Sequence, residues 1–239
     1  ASYVRGGVAR GAGVLPALGN GPLLDAGCGA GGLVAAAALA GQKATGTDIA
    51  LRWLIIGARR LEELGLEAEL VCADIAAAPF ADERFHGLAA IDLFEHVEDQ
   101  DAAARALARM LVPGGKLYLA SANRYTLAPY PLAGLFGVGY LPRGFRARYV
   151  RARRGLDTLR FAALQSPAGL RRRLARHGFS QFQLRALAIP PTCRDDLHGL
   201  QKILFPLYSR LRVLPVVGRL LARIGPAFEI TGTREFTPR

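Results

Sequence analysis

The stretch Leu24-Asp25-Ala26-Gly27-Cys28-Gly29-Ala30-Gly31-Gly32 places one carboxylate and four glycines within nine residues. Glycines at 27 and 29 let a ligand approach the backbone where a Cβ would clash. Asp25, two residues ahead of the first glycine, puts negative charge where an α-ammonium group would be held and a pyrophosphate repelled. The same residues also read G-x-G-x-x-G through Gly27, Gly29 and Gly32. That dinucleotide fingerprint is weak alone, and Asp25 disfavours it. A plain tight turn between strand and helix is the remaining reading. Asp48, in Thr45-Gly46-Thr47-Asp48-Ile49, follows the glycines by about 20 residues, the spacing at which an acid accepts both ribose hydroxyls. It also suits a cap for a helix starting near Leu51, and one residue can serve both. Cys72-Ala73-Asp74-Ile75 offers a third carboxylate. It can accept from the exocyclic amine of an adenine, with Ile75 or Cys72 flanking the ring, or stand solvated in a loop. Ala90-Ile91-Asp92-Leu93-Phe94-Glu95-His96-Val97 and Val112-Pro113-Gly114-Gly115 complete the set.

These groups need a scaffold that brings strand ends together, and the hydrophobic pattern supplies one. Apolar strand signals at 22–26, 43–49, 68–73, 85–93 and 116–121 alternate with helical signals at 33–39, 51–64 and 101–111. The 51–64 segment sets Leu51, Leu54, Ile55, Ala58, Leu61 and Leu64 on one face and its charges on the other. Alternating strands and helices predict a mostly parallel, doubly wound α/β sheet. Ligands bind such sheets beyond the carboxyl ends of the strands, where strand order reverses. All the acids above fall at strand ends. The second half predicts a helix over 166–177, capped by Ser166 with Pro167 at its first position. A strand follows over 181–189, then two amphipathic stretches within 195–224 broken near Pro206 and Pro215, and a last strand from Phe228.

This motif set resembles the class I S-adenosylmethionine-dependent methyltransferases, in particular the small-molecule branch that includes quinone-biosynthesis enzymes. The likeness covers roughly residues 20–124: the glycine turn, Asp48, Asp74, the D-x-x-E-H-V run from Asp92 to Val97, and the x-P-G-G turn. It implies one Rossmann-like domain over 1–239 with seven strands, the seventh antiparallel, and helical caps inserted after strands five and six. Residues 1–124 would form the cofactor-binding half, and 125–165 and 190–226 the substrate caps. It further implies S-adenosylmethionine held by Asp25, Gly27, Cys28, Gly29, Gly31, Asp48, Ile49, Asp74, Ile75, Asp92 and Leu93. Asp25 and the glycines would take the methionine end, Asp48 the ribose and Asp74 the adenine amine. Phe85-His86 departs from the family's usual Phe-Asp, a structural position. His96 and Asp92 are the candidate catalytic bases, although the family's histidine here is often structural. Placement of donor and acceptor can supply most of the rate without either. Glu95, Tyr125, Tyr130 and Tyr140 are the candidate substrate contacts, the tyrosines lying in an aromatic, Gly- and Pro-rich segment that suits either a concave acceptor site or a self-packed cap. His86, His177 and His198 read as surface or capping residues.

Charge bounds the partners. The chain has 239 residues and a net charge of +12, with eleven arginines and one acid, Asp157, between Arg143 and Arg176. Such an excess can attract RNA, anionic lipid or acidic substrates. No added RNA-binding module is visible, and no Asn-Pro-Pro-Tyr-like motif follows strand four, so nucleic acid is not the expected partner. The 200–219 segment repeats Leu at helical spacing beside basic residues. It can lie on a membrane surface or close over the pocket, and the lid is the expectation. Three scattered cysteines without a CxxC pair argue against zinc and disulfides and for a reducing, cytoplasmic setting. No apolar run reaches the about 20 residues of a membrane span. No signal peptide is visible at Ala1, and the missing initial Met leaves room for upstream residues. A small-molecule methyltransferase of specialised metabolism is therefore the expectation. An RNA methyltransferase, or a cyclase or binding protein that keeps the cofactor only as structure, are the alternatives.

Overall fold

The computed structural model describes residues 2–155, 159, 162–190 and 200–236. The predicted Asp157, Cys193 and His198 lie outside these. In chain order the elements are α1 (Ser2–Val14), β1 (Leu23–Ala26), α2 (Gly32–Leu39), β2 (Ala44–Asp48), α3 (Leu51–Glu63), β3 (Glu69–Cys72), β4 (Phe85–Ile91), α4 (Gln100–Met110), β5 (Leu111–Ala122), α5 (Arg143–Arg154), α6 (Pro167–Arg176), β6 (Phe179–Ala186), α7 (Leu200–Leu211), α8 (Pro215–Ile224) and β7 (Ala227–Arg234). The seven strands form one sheet in the order β3-β2-β1-β4-β5-β7-β6. Strands β1 to β5 run parallel, and β7 is antiparallel to both neighbours. The doubly wound expectation holds, including the antiparallel seventh strand.

Both faces of the central strands are buried, and successive residues feed opposite layers. Leu24, Leu88, Leu117 and Leu119 pack beneath α4 and α6 with Leu107, Met110, Leu170 and Leu174. Their neighbours Leu23, Ala89, Tyr118 and Ala120 pack toward α1 and α2 with Val14, Leu33 and Ala37. Strand order reverses between β1 and β4, whose paired ends bring Asp25 opposite Ala89 and Ala26 opposite Ala90. The crevice expected at such a switch point opens there. No helix among the described residues is long and apolar enough to cross a membrane.

Some boundaries depart from the sequence expectation. Helix α1 was not anticipated. It docks on α2 through Gly7 and Gly11, so closely that a Cβ on Gly11 would lie 2.6 Å from the Leu33 Cα and one on Gly32 would lie 2.7 Å from the Gly7 carbonyl carbon. Backbone-to-backbone packing of this kind leaves nothing flexible to move aside. Gly11→Val is therefore expected to undock α1 while sparing the sheet. Overpacking costs about 1–3 kcal/mol, which amide exchange should register as roughly tenfold or faster exchange in α1 with β1 and β4 unchanged. Unchanged protection of α1 would refute this packing. Pro206 does not break α7, which runs through it; one lost N–H bond is tolerated within a twelve-residue helix. Strand β5 starts at Leu111, and the Pro113-Gly114-Gly115 turn is absorbed as a bulge between the Phe85–Leu111 and Gly87–Lys116 pairings. Ser166 caps α6 as predicted, accepting from the Gly169 N–H at 3.2 Å. His177 bonds Asp101 at 3.1 Å, tying α6 to α4. That contact, followed by Arg173 and Arg176, holds the Asp101 carboxyl below its ordinary value.

Candidate active site

A cleft of about 390 Å³ opens at the switch point. Its floor is the β1–α2 turn. Gly27, Gly29 and Gly31 all have positive φ, at 72°, 50° and 68°. Nothing lies within 4 Å of where a Gly29 Cβ would stand, so the backbone there faces open space. Gly32, the third glycine of the fingerprint, serves instead as the seat for α1. Cys28 contributes backbone. Its sulfur turns inward, to within 2.9 Å of where a Gly46 Cβ would be, and burial, followed by Asp25 and Asp48, pushes its thiol well above the ordinary range.

Asp25 is 4 % exposed and lines the cleft. Burial first, and the nearby Asp48 charge second, push its carboxyl up to about 7. No hydrogen bond among the described residues offsets either effect. An acid that is costly to ionise alone is relieved by a cation arriving beside it. Asp48 is already engaged. Its Oδ2 accepts from the Gly29 N–H at 2.9 Å and its Oδ1 from the Ala50 N–H at 2.8 Å. It thus braces the glycine turn and starts the β2–α3 connection, while Ala50 occupies the N-cap position itself without a side-chain bond. Each carboxylate oxygen keeps a further lone pair for a ligand.

Across the crevice, Ile91, Asp92 and His96 close the β4 side. Asp92 sits at φ 53°, an uncommon conformation that Asp tolerates better than most residues. It is held by its N–H to the Ala120 carbonyl at 2.9 Å and by Arg10 at 3.3 Å. Arg10 belongs to α1, which roofs the cleft together with Gly6, Gly7 and Gly11. Trp53 and Arg60 reach it from α3. None of these α1 and α3 residues was named as a site residue, and Arg60, read with the charges on the outer face of α3, is buried instead. The usable signals were the Gly7-x-x-x-Gly11 spacing and the single tryptophan.

The remaining candidates lie around the cleft rather than in its lining. Leu93 packs over Gly27, 2.9 Å from where its Cβ would stand. Ile49 is exposed beside Asp48, and Ile75 is buried in the core. Asp74 is exposed and caps a short turn by accepting from the Ala76 N–H at 2.9 Å. Glu95 is buried one layer down. It accepts from the Ser121 hydroxyl at 2.8 Å, and burial, then the Asp92 charge, raises its carboxyl to about 7. Tyr130 is fully buried in the 122–159 cap with a hydroxyl that has no partner among the described residues. Burial and then Glu95 push it above its ordinary value. Tyr125 and Tyr140 pair with each other, rings 5.6 Å apart, and the Tyr140 hydroxyl donates to the Tyr125 carbonyl at 2.8 Å. The cleft lining includes no residue of α7 or α8, so the expected lid over it is supplied by α1 instead; α8 packs against β6.

The segment that carries the buried acid, the glycine turn and the braced second acid, residues 24–119, matches the model of a methyltransferase domain. Residues 24–119 are thus similar to a methyltransferase domain. Around it, the chain is 36 % identical over 129 residues to a ubiquinone biosynthesis O-methyltransferase of Pseudomonas putida strain W619, covering 51 % of this chain and 54 % of the relative. A relative of the same name from Idiomarina loihiensis is 35 % identical over 105 residues, covering 43 % of this chain and 42 % of its own. The chain thus spans about half the length of the curated relatives it matches. Among solved structures, a possible histamine N-methyltransferase from Thermotoga maritima superposes with a TM-score of 0.59 at 16 % identity, covering 98 % of this chain and 91 % of the other. Geranyl diphosphate C-methyltransferase from Streptomyces coelicolor A3(2) gives 0.62 at 15 % identity, covering 95 % and 78 %. These identities establish the shared fold alone.

Proposed function

We propose that this protein transfers the methyl group of S-adenosylmethionine to an O, N or C centre of a small organic molecule. The observation that carries the reading is Asp25, a buried carboxylate without a hydrogen-bond partner among the described residues, set beside a glycine turn whose backbone faces open space. The residues present fit the cofactor. Asp25 answers its ammonium group, Gly27 to Gly31 give its methionine end room, and the spare lone pairs of Asp48 suit two ribose hydroxyls. Asp74 and the exposed Ile49 are the residues proposed for the adenine edge, while Ile75 packs in the core. When bound, the cofactor supplies an electrophilic methyl on sulfur.

The chain's own residues must then bring an acceptor to that side and exclude water. Asp92 and His96 face the cleft and are the groups placed to take a proton from an acceptor hydroxyl or amine. Arg10 pairs with Asp92 at 3.3 Å and holds it at the cleft. Behind them, the buried Glu95–Ser121 pair lies beneath the cap that carries Tyr130. The names of the curated relatives favour a phenolic oxygen on a quinone precursor as the acceptor. A role in specialised metabolism is the alternative setting.

Titration calorimetry tests the cofactor. Binding of S-adenosylhomocysteine and no binding of NAD is the expected result. The opposite pattern would remove the reading altogether.

A further inference from the structure

The last two helices carry a surface that the methyl-transfer reading does not use. From residue 197 to 228 there is no acid, and Arg210, Arg212, Arg219 and Arg223 lie within α7 and α8 or their connection. The inward face of this pair is fully committed. Phe205 and Ala222 are buried, and Gly218 packs within the α7–α8 turn. The Tyr208 hydroxyl donates to the Leu187 carbonyl at 2.8 Å. The outward face is apolar. Ile203 and Leu207 stand four residues apart on α7, and Val216 and Leu220 four apart on α8, with Val213 and Leu214 between them. Ile203 is 73 % and Val216 78 % exposed. The Leu127 N–H donates to the Ile224 carbonyl at 2.9 Å, which places another exposed leucine at the end of the same patch. A monomer seldom leaves so many large apolar side chains together in water.

We infer that the α7–α8 pair is a docking surface for an anionic lipid bilayer, its apolar side chains entering the headgroup–acyl boundary and its arginines meeting lipid phosphates. The chemistry of the patch selects this occupant. An apolar stripe with exposed arginines beside it and no acid from residue 197 to 228 matches an interface that is apolar below and negative above. A second copy of the chain would set arginines against arginines across a two-fold axis. The helices are ten and twelve residues long, so they can lie in the interface but not span it. The inference stands independently of methyl transfer.

Flotation of the whole protein with vesicles tests it. Vesicles of phosphatidylcholine with phosphatidylglycerol are expected to carry the protein, and phosphatidylcholine alone to carry at least tenfold less. Binding should weaken as salt rises. The exposed pair V216D/L220D should reduce binding at least tenfold with an unchanged circular dichroism spectrum. Arg210→Gln with Arg219→Gln should erase the preference for the anionic vesicles. Leu220→Trp, excited selectively in a Trp53→Phe background, should shift to the blue on adding anionic vesicles. Binding to neither vesicle overturns the inference. So does equal binding to both, and so does concentration-dependent self-association abolished by V216D/L220D without vesicle binding.

Discussion

Asp25→Asn is expected to melt higher than the parent in the absence of ligand and to bind S-adenosylhomocysteine at least tenfold more weakly. Both effects follow from one feature. In the folded protein the Asp25 carboxyl holds its proton up to about pH 7, against 3.8 when free. A group whose folded value is raised favours folding most fully below the unfolded value. That contribution is lost as pH climbs toward the folded value. Above pH 7 the ionised acid therefore costs the ligand-free protein on the order of 4 kcal/mol at most. Recovering half of that corresponds to roughly 4–8 °C for a chain of this size. The gain should be large at pH 8 and shrink at pH 5, where Asp25 is already neutral. Affinity carries the opposite sign. An arriving ammonium group needs the carboxylate, so below about pH 7 binding must release a proton, and affinity should fall by up to tenfold per pH unit. Asn at 25 flattens that slope. Calorimetry between pH 5.5 and 8 in buffers of differing ionisation enthalpy reads both the slope and the proton. A variant that binds as tightly as the parent, with the same slope, would take the ammonium role away from Asp25.

The second large effect concerns Asp48. The sequence allowed Asp48 to serve as a ribose acceptor, a helix cap or both. In the structure its oxygens hold the Gly29 and Ala50 N–H groups, so a change there should reach both stability and affinity. Asp48→Ala leaves both donors without their partner, at about 1–3 kcal/mol for each that water does not reach. It also removes the acceptor of two charge-assisted bonds. Melting temperature and affinity should fall together, the affinity by at least tenfold. Asp48→Asn retains one accepting oxygen and presents an amide donor to the other N–H, so it should fall between. It also removes the charge that helps keep Asp25 protonated, so the pH at which affinity begins to fall should move downward in this variant. Full affinity in Asp48→Asn with the parent's pH profile would place the ribose elsewhere.

What could be read in advance follows the range of the interactions. Strand β1, its glycine turn and α2 form one local unit, so Asp25, Gly27 and Gly29 were placed correctly beside the crevice. Asp48 was found through its spacing, but its grip on Gly29 was invisible because that bond joins two strand ends across the sheet. Helix α1 escaped notice for the same reason. It carries no acidic first turn or basic last turn, and its glycines acquire meaning only against Gly32 and Leu33. Tyr130 and Glu95 were named as acceptor contacts, and their burial beneath the cap could not be read in advance, since the cap comes from a segment without clear periodicity. Ile75 looked like a ring contact by position, yet its side chain joins the core.

The grip of α1 on α2 should also set a clock. The helix over the cleft is held by close backbone approach, by Arg10 on Asp92 and by Val8 and Val14 packed into the layers below. Ligand in the cleft is expected to exchange no faster than α1 detaches, so Gly11→Val should shorten the residence time of bound S-adenosylhomocysteine, as stopped-flow release would measure.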